Sequence, residues 1–131
     1  MPDTRPDRVY GIIVRDGRVF LRDTGRGYGL PGGVFRPLAE DRKTEIRAHL
    51  FDQLGVVPLR TWAQGAFMYR DAAEDDEAFS GFYTVWDWSG EVPESAGLWV
   101  DRAMLPAIPG LPGSLRILLL SVLETVAIKT T

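Results

Sequence analysis

The chain has 131 residues, of which 45% are hydrophobic and 25% charged, with a formal net charge of −3. These values describe one globular domain and exclude the broad basic footprint of a nucleic-acid binder. The absence of cysteine excludes disulfides, thiolate metal sites and a cysteine nucleophile, and it fits a reducing, cytoplasmic setting. The segment Met1–Pro6 is polar and has no apolar run, so no signal peptide is expected. Residues 1–7 are read as a frayed tail on a single domain that takes up the rest of 1–131.

Tyr10–Val14 and Arg18–Leu21 are two apolar-rich runs joined around Asp16-Gly17. Asp-Gly supplies the positive φ angles that a tight hairpin needs, so the pair reads as a β-hairpin. Thr24-Gly25-Arg26-Gly27-Tyr28-Gly29 is too glycine-rich to hold a regular element, and Leu30-Pro31-Gly32-Gly33 reads as a turn.

Asp41 to Leu54 reads as a helix. Ile46, Leu50 and Leu54 repeat every four residues and Phe51 widens the apolar stripe. Asp41 is the expected N-cap and Gly55 the expected C-cap. Glu45, His49, Asp52 and Gln53 are expected together on the opposite, solvated face.

Arg60–Tyr69 and Phe79–Trp88 read as paired strands around an acidic loop that holds Asp71, Glu74, Asp75, Asp76 and Glu77. Phe82, Thr84, Trp86 and Trp88 should share one strand face, with Tyr83, Val85 and Asp87 on the other. One set packs in the core and the other is available to stack a nucleobase. Gly97–Val100 reads as a short strand. The prolines of Pro106–Pro112 bar regular structure, and Ser114 is expected to cap a final helix reaching about Ile128. That helix is apolar on nearly every side, which suits burial or a homodimer interface and is too short for a comfortable membrane span. Strands interrupted by two helices imply an α/β (α+β mixed) class with a mixed sheet between helices.

Taken together, these residues resemble a known family, the Nudix hydrolases. That family's signature is a Gly, five residues, a Glu, seven residues, Arg-Glu, an aliphatic, any residue, Glu-Glu, any residue, Gly and an aliphatic, usually after Leu-Pro-Gly. Leu30-Pro31-Gly32-Gly33 matches the opening, and Glu40 matches the first Glu with one extra residue before it. Leu50, Gly55 and Val56 match the later frame. Leu98-Trp99-Val100-Asp101, Met104-Leu105-Pro106 and the closing helix extend the likeness over nearly the whole chain. The resemblance implies an α/β/α sandwich and metal-dependent cleavage of a nucleoside diphosphate linked to another moiety.

The catalytic positions depart from the family's pattern. Its Arg-Glu is Ala48-His49 here, and its Glu-Glu is Asp52-Gln53. In the family those glutamates bind a divalent metal, magnesium or manganese, against the substrate diphosphate. Magnesium wants hard oxygen ligands, mostly carboxylates, and His49 and Gln53 supply none. Glu45, His49 and Asp52, at spacings of four and three, form a rebuilt candidate set for catalysis and metal binding. The acidic loop is a further source of a general-base carboxylate. Gly32, Gly33, Arg36 and Tyr28 are candidates for holding the substrate, with Arg26 and Arg36 placed to neutralise phosphates. Glu40 and Gly55 are structural members of the box. Three functions stay open: a pyrophosphohydrolase with weak or altered metal dependence, a catalytically inactive ligand-binding or regulatory module, or a structural or dimerising module working through the apolar closing helix. In the first two cases the expected partner is a small nucleotide or diphosphate, with no membrane involvement.

Overall fold

A computed structural model describes residues 7–35, 41–74 and 76–130, with side chains as far as residue 125. The opening hairpin pairs β1 (Arg8–Arg15) with β2 (Arg18–Asp23). Its turn places Asp16 at φ 53° and Gly17 at φ 73°, the two left-handed residues that a two-residue loop of this twist requires. The remaining elements are β3 (Tyr28–Gly29), β4 (Gly32–Val34), α1 (Arg42–Leu54), β5 (Val57–Arg70), β6 (Glu77–Ser89), β7 (Gly97–Asp101) and α2 (Gly113–Thr130).

The sheet has seven strands, in the order β3-β2-β1-β6-β5, with β4 also paired to β1 and β7 to β2. The β1–β6 pairing is parallel and the other pairings are antiparallel, so the sheet is mixed. β1 is buried on both faces and its alternate residues serve two cores. Tyr10, Ile12 and Val14 join Leu21, Phe82, Leu115 and Leu119 on the α2 side. Val9 and Ile13 join Phe20, Ile46, Leu50, Leu54 and Val85 on the α1 side. The result is the expected α/β/α sandwich.

Several expectations need correction. Leu-Pro-Gly-Gly is not a free turn, because Gly32, Gly33 and Val34 form β4 opposite Tyr10, Val9 and Arg8. The glycine-rich segment before it contains β3, whose Tyr28 and Gly29 pair with Asp23 and Arg22. Asp7 is not frayed: its N–H donates to the Phe79 carbonyl and its carbonyl accepts from Phe35, both at 2.8 Å. Ser114 lies inside α2 rather than capping it, since that helix begins at Gly113. α2 is also not apolar-buried all round, as Ile117 is 71% exposed. Among the described residues, no helix is long and apolar enough to cross a membrane.

The β5–β6 ladder contains a register shift with a functional consequence. Arg60 pairs with Asp87 and the next residue, Thr61, pairs with Val85, leaving Trp86 without a partner. An extra residue in one strand flips the parity of the residues beyond it. Trp88 therefore leaves the Phe82 and Thr84 face and packs on the α1 side near Trp99. Trp86 is turned outward and is 49% exposed.

Candidate functional site

The site is built by α1 crossing the short strand β4. Asp41 accepts from the Thr44 N–H at 2.8 Å and starts the helix as its N-cap. Gly55, at φ 72°, ends the helix in the left-handed conformation that a glycine adopts without steric penalty. Ile46, Leu50 and Leu54 are buried and anchor α1 to the sheet. With the helix fixed at both ends and along its apolar stripe, the adjacent side chains have set positions over Gly32–Val34.

Gln53 and Gly32 form a closed pair. The Gly32 N–H donates to Gln53 Oε1 at 2.9 Å, and Gln53 Nε2 donates to the Gly32 carbonyl at 2.8 Å. His49 Nε2 lies 2.9 Å from the Val34 carbonyl oxygen. A carbonyl only accepts, so Nε2 carries the proton in this contact. A Cβ on Gly33 would stand 3.1 Å from His49 Cε1. The imidazole thus rests against a glycine that leaves it room. Gly32 is held more tightly still: at φ +145° its hypothetical Cβ would strike the Val9 carbonyl oxygen and lie 2.7 Å from the Tyr10 Cα.

These contacts give the box a different role. His49 and Gln53 tie the helix to β4 through amide and imidazole hydrogen bonds. A carboxylate at position 53 could accept from the Gly32 N–H, but it could not donate to the Gly32 carbonyl. The Gly32 N–H is already bonded within the chain, so it does not offer itself to a phosphate. Tyr28 packs against the α2-side core.

Glu45, His49 and Asp52 are not brought together as one solvated face. Glu45 is fully buried and has a partner, His49 is half-buried and Asp52 is exposed. Seven residues of helix separate Glu45 from Asp52 by roughly 10 Å along the axis. Ligands to one ion must lie within a few ångströms of each other. Among the described residues, no group of three or more His, Asp or Glu side chains is arranged to hold a metal. A hard divalent cation is a poor match for an imidazole and an amide that are both bonded to backbone, with one exposed carboxylate beside them. The described residues therefore do not fit the magnesium or manganese site that the resemblance implies. Glu40 and Arg36, also expected at the site, lie outside the described residues, as does Asp75 of the acidic loop.

The acidic loop serves the fold. Asp71 is buried, accepting from the Tyr10 hydroxyl at 2.8 Å and from the Ala73 N–H at 2.9 Å. Asp76 pairs with Arg8 at 2.7 Å. The Tyr10 phenol is pushed well above its ordinary pKa by burial and then by the Asp71 carboxylate. Nothing in the local sequence distinguishes Asp71 from its acidic neighbours, because its partner is 61 residues away.

One signal lies outside the motif frame. Lys43 and Arg47, four residues apart on α1, form with Arg60 and Trp86 the wall of a groove of about 490 Å³.

Comparison with solved structures places this architecture. The chain is similar to a MutT Nudix hydrolase from Burkholderia pseudomallei at 27% identity and TM-score 0.67, over 86% of this chain and 93% of that one. It is similar to MutT studied from Aliivibrio salmonicida and Vibrio cholerae at 20% identity and TM-score 0.72, over 91% of this chain and 98% of that one. A third likeness, at 19% identity and TM-score 0.62 over 95% of this chain and 87% of that one, is the Nudix domain of Shewanella oneidensis NrtR complexed with ADP ribose. No protein-family model and no curated protein matches the sequence. The chain is a Nudix-fold protein, with the mixed sheet and two flanking helices of that sandwich.

Proposed function

We propose that this protein is a Nudix-fold module that binds a nucleotide-type diphosphate ligand and has lost magnesium-dependent cleavage at α1. The observation that carries this reading is the double hydrogen bond between Gln53 and Gly32. It uses a metal-ligand position of the family's box to join helix and strand. The Nudix domain solved with ADP ribose supports the ligand class, since this chain shares its fold over most of its length.

Metal-assisted phosphate cleavage needs an ion that polarises phosphate oxygens and lowers the pKa of bound water. Carboxylates normally hold such an ion, and of Glu45, His49, Asp52 and Gln53 only Asp52 offers an exposed one. The competing reading is a hydrolase with weak or altered metal dependence, supported by the fold-wide likeness to MutT hydrolases.

Incubation of the purified protein with nucleoside triphosphates, ADP-ribose, NADH and dinucleoside polyphosphates separates the two. The proposal expects no turnover with magnesium, manganese or zinc, together with a raised melting temperature for at least one compound. Metal-dependent turnover that disappears in Asp52→Ala would establish the hydrolase instead. We also propose a homodimer, on the exposed Ile117 of α2. A light-scattering mass that stays monomeric at all concentrations would dismiss it.

A further inference from the structure

We propose that the groove between the start of α1 and the β5–β6 edge is a binding site for a compact anion carrying an aromatic ring, such as a nucleoside diphosphate. The site is distinct from the Nudix box, and it takes its ligand class in part from the functional reading above. The groove has a volume of about 490 Å³, within the range of small-molecule sites. Its lining combines Lys43 and Arg47 from α1, Arg60 from β5 and Trp86 from β6.

The groove concentrates positive charge. The protein as a whole carries −3, yet three cations meet here. Asp41 also lines the groove, but its carboxylate accepts from the Thr44 N–H. Three positive groups against one negative leave the groove cationic. Among the described residues, Lys43 and Arg47 have no ion-pair partner. Arg60 has only a long contact to Asp87, 3.8 Å between Nε and Oδ2. Convergent, weakly paired cations from two elements are suited to a phosphate, and guanidinium groups bind it in two-pronged fashion.

The indole reaches the groove through a different feature of the fold. Trp86 is the unpaired residue of the register shift in β6. Such irregularities re-aim a side chain, and they concentrate near functional sites. Here the shift turns a large apolar ring into a cationic groove and leaves it 49% exposed. The Arg60 guanidinium carbon lies 5.4 Å from the centre of that ring. A cation over the indole leaves ring surface for a planar base, and base stacking on an aromatic side chain does not depend on base identity. The arrangement puts a stacking platform beside a phosphate-binding cluster.

The test is calorimetric titration of the whole protein with ADP, adenosine and inorganic pyrophosphate, in magnesium-free buffer and again with magnesium. ADP should bind, quenching tryptophan fluorescence, and each fragment alone should bind at least tenfold more weakly. Trp86→Ala and the double variant Lys43→Glu/Arg47→Glu should each weaken ADP at least tenfold. Unchanged far-ultraviolet circular dichroism and melting temperature would show that both variants fold, as expected for exposed positions. ADP binding that neither variant weakens would overturn the groove alone and leave the ligand-binding reading standing. Absence of ADP binding to the unaltered protein would overturn the groove proposal, while the functional reading falls only if no compound of its own panel raises the melting temperature. Magnesium-dependent turnover of ADP, with binding still lost in the groove variants, would overturn only the functional reading.

Discussion

Gln53 and Gly32 face each other across the contact between α1 and β4, and each donates one hydrogen bond to the other, at 2.8 and 2.9 Å. The amide is suited to this place because it presents a donor and an acceptor side by side, matching a backbone N–H and carbonyl.

Restoring the family's carboxylate at this position should therefore harm the protein. In Gln53→Glu the donor to the Gly32 carbonyl is lost and two oxygens are brought against each other. A cost of about 1–3 kcal/mol is expected, with no gain in magnesium affinity. Urea denaturation and magnesium titration of the variant check both parts. A more stable variant that gains metal-dependent cleavage would show that the amide is incidental.

The two glycines of β4 should respond differently to alanine. Gly32→Ala places a Cβ against the Val9 carbonyl and the Tyr10 backbone at a positive φ. Because backbone cannot yield as a side chain does, a loss of more than about 3 kcal/mol, or failure to fold, is expected. Gly33→Ala meets only the His49 ring, at 3.1 Å. The ring can shift, so the smaller cost should fall on its contact with Val34. Thermal melts of the two variants, with the His49 resonances followed by NMR, distinguish these outcomes.

Tyr10 should make the protein sensitive to alkali. Burial and the Asp71 carboxylate raise its folded pKa, while the unfolded phenol titrates near its ordinary value of about 10. Below that value both states hold the proton and the stabilisation is complete. Above it the unfolded state loses the proton first, so stability falls as pH rises. Tyr10→Phe should cost about 1–3 kcal/mol at neutral pH by leaving Asp71 short of a donor, and should flatten the decline between about pH 9 and 11. Tyr69, whose pKa is also raised by burial and then by Asp71, should sustain part of the slope. Urea midpoints across that range provide the comparison.

Asp76 acts at the opposite end of the scale. Its hydrogen bond from Arg8 and the charge of that guanidinium hold its pKa below the ordinary carboxylate range. A depressed folded pKa gives stability that is present above the unfolded value of about 4 and is lost as pH falls through the folded one. Asp76→Asn should lower stability slightly at neutral pH and reduce the acid dependence below about pH 4 by the same small amount. The side-chain carboxyl shift of Asp76, titrated by NMR, should report the lowered value directly. A midpoint at or above about 4 would remove the basis for this expectation.

Much of the fold was legible because it is specified by neighbours in the chain. Asp16-Gly17 set the hairpin, and Asp41 and Gly55 bounded α1 with Ile46, Leu50 and Leu54 between them. Pairing at a distance was not legible. Gly32–Val34 reads as a turn from its own residues, and it becomes a strand because β1 supplies partners about 24 residues earlier. Glu45 reads as a solvated neighbour of His49, yet it is fully buried and partnered in the fold. Trp88 follows the Phe82 face by strict alternation, and only the unpaired Trp86 reverses it.

The amino-acid sequence by itself determined the Nudix frame, the limits of α1 and the departure of His49 and Gln53 from carboxylate chemistry. Residue type and short spacing carry all three, and local propensity reads them directly. The tertiary structure decided what those residues do instead: Gln53 and His49 bond to backbone 21 and 15 residues away. It also decided that Trp86 meets Lys43, Arg47 and Arg60 in one groove. Long-range hydrogen bonding and strand register set both outcomes, and neither is encoded in the spacing of adjacent residues.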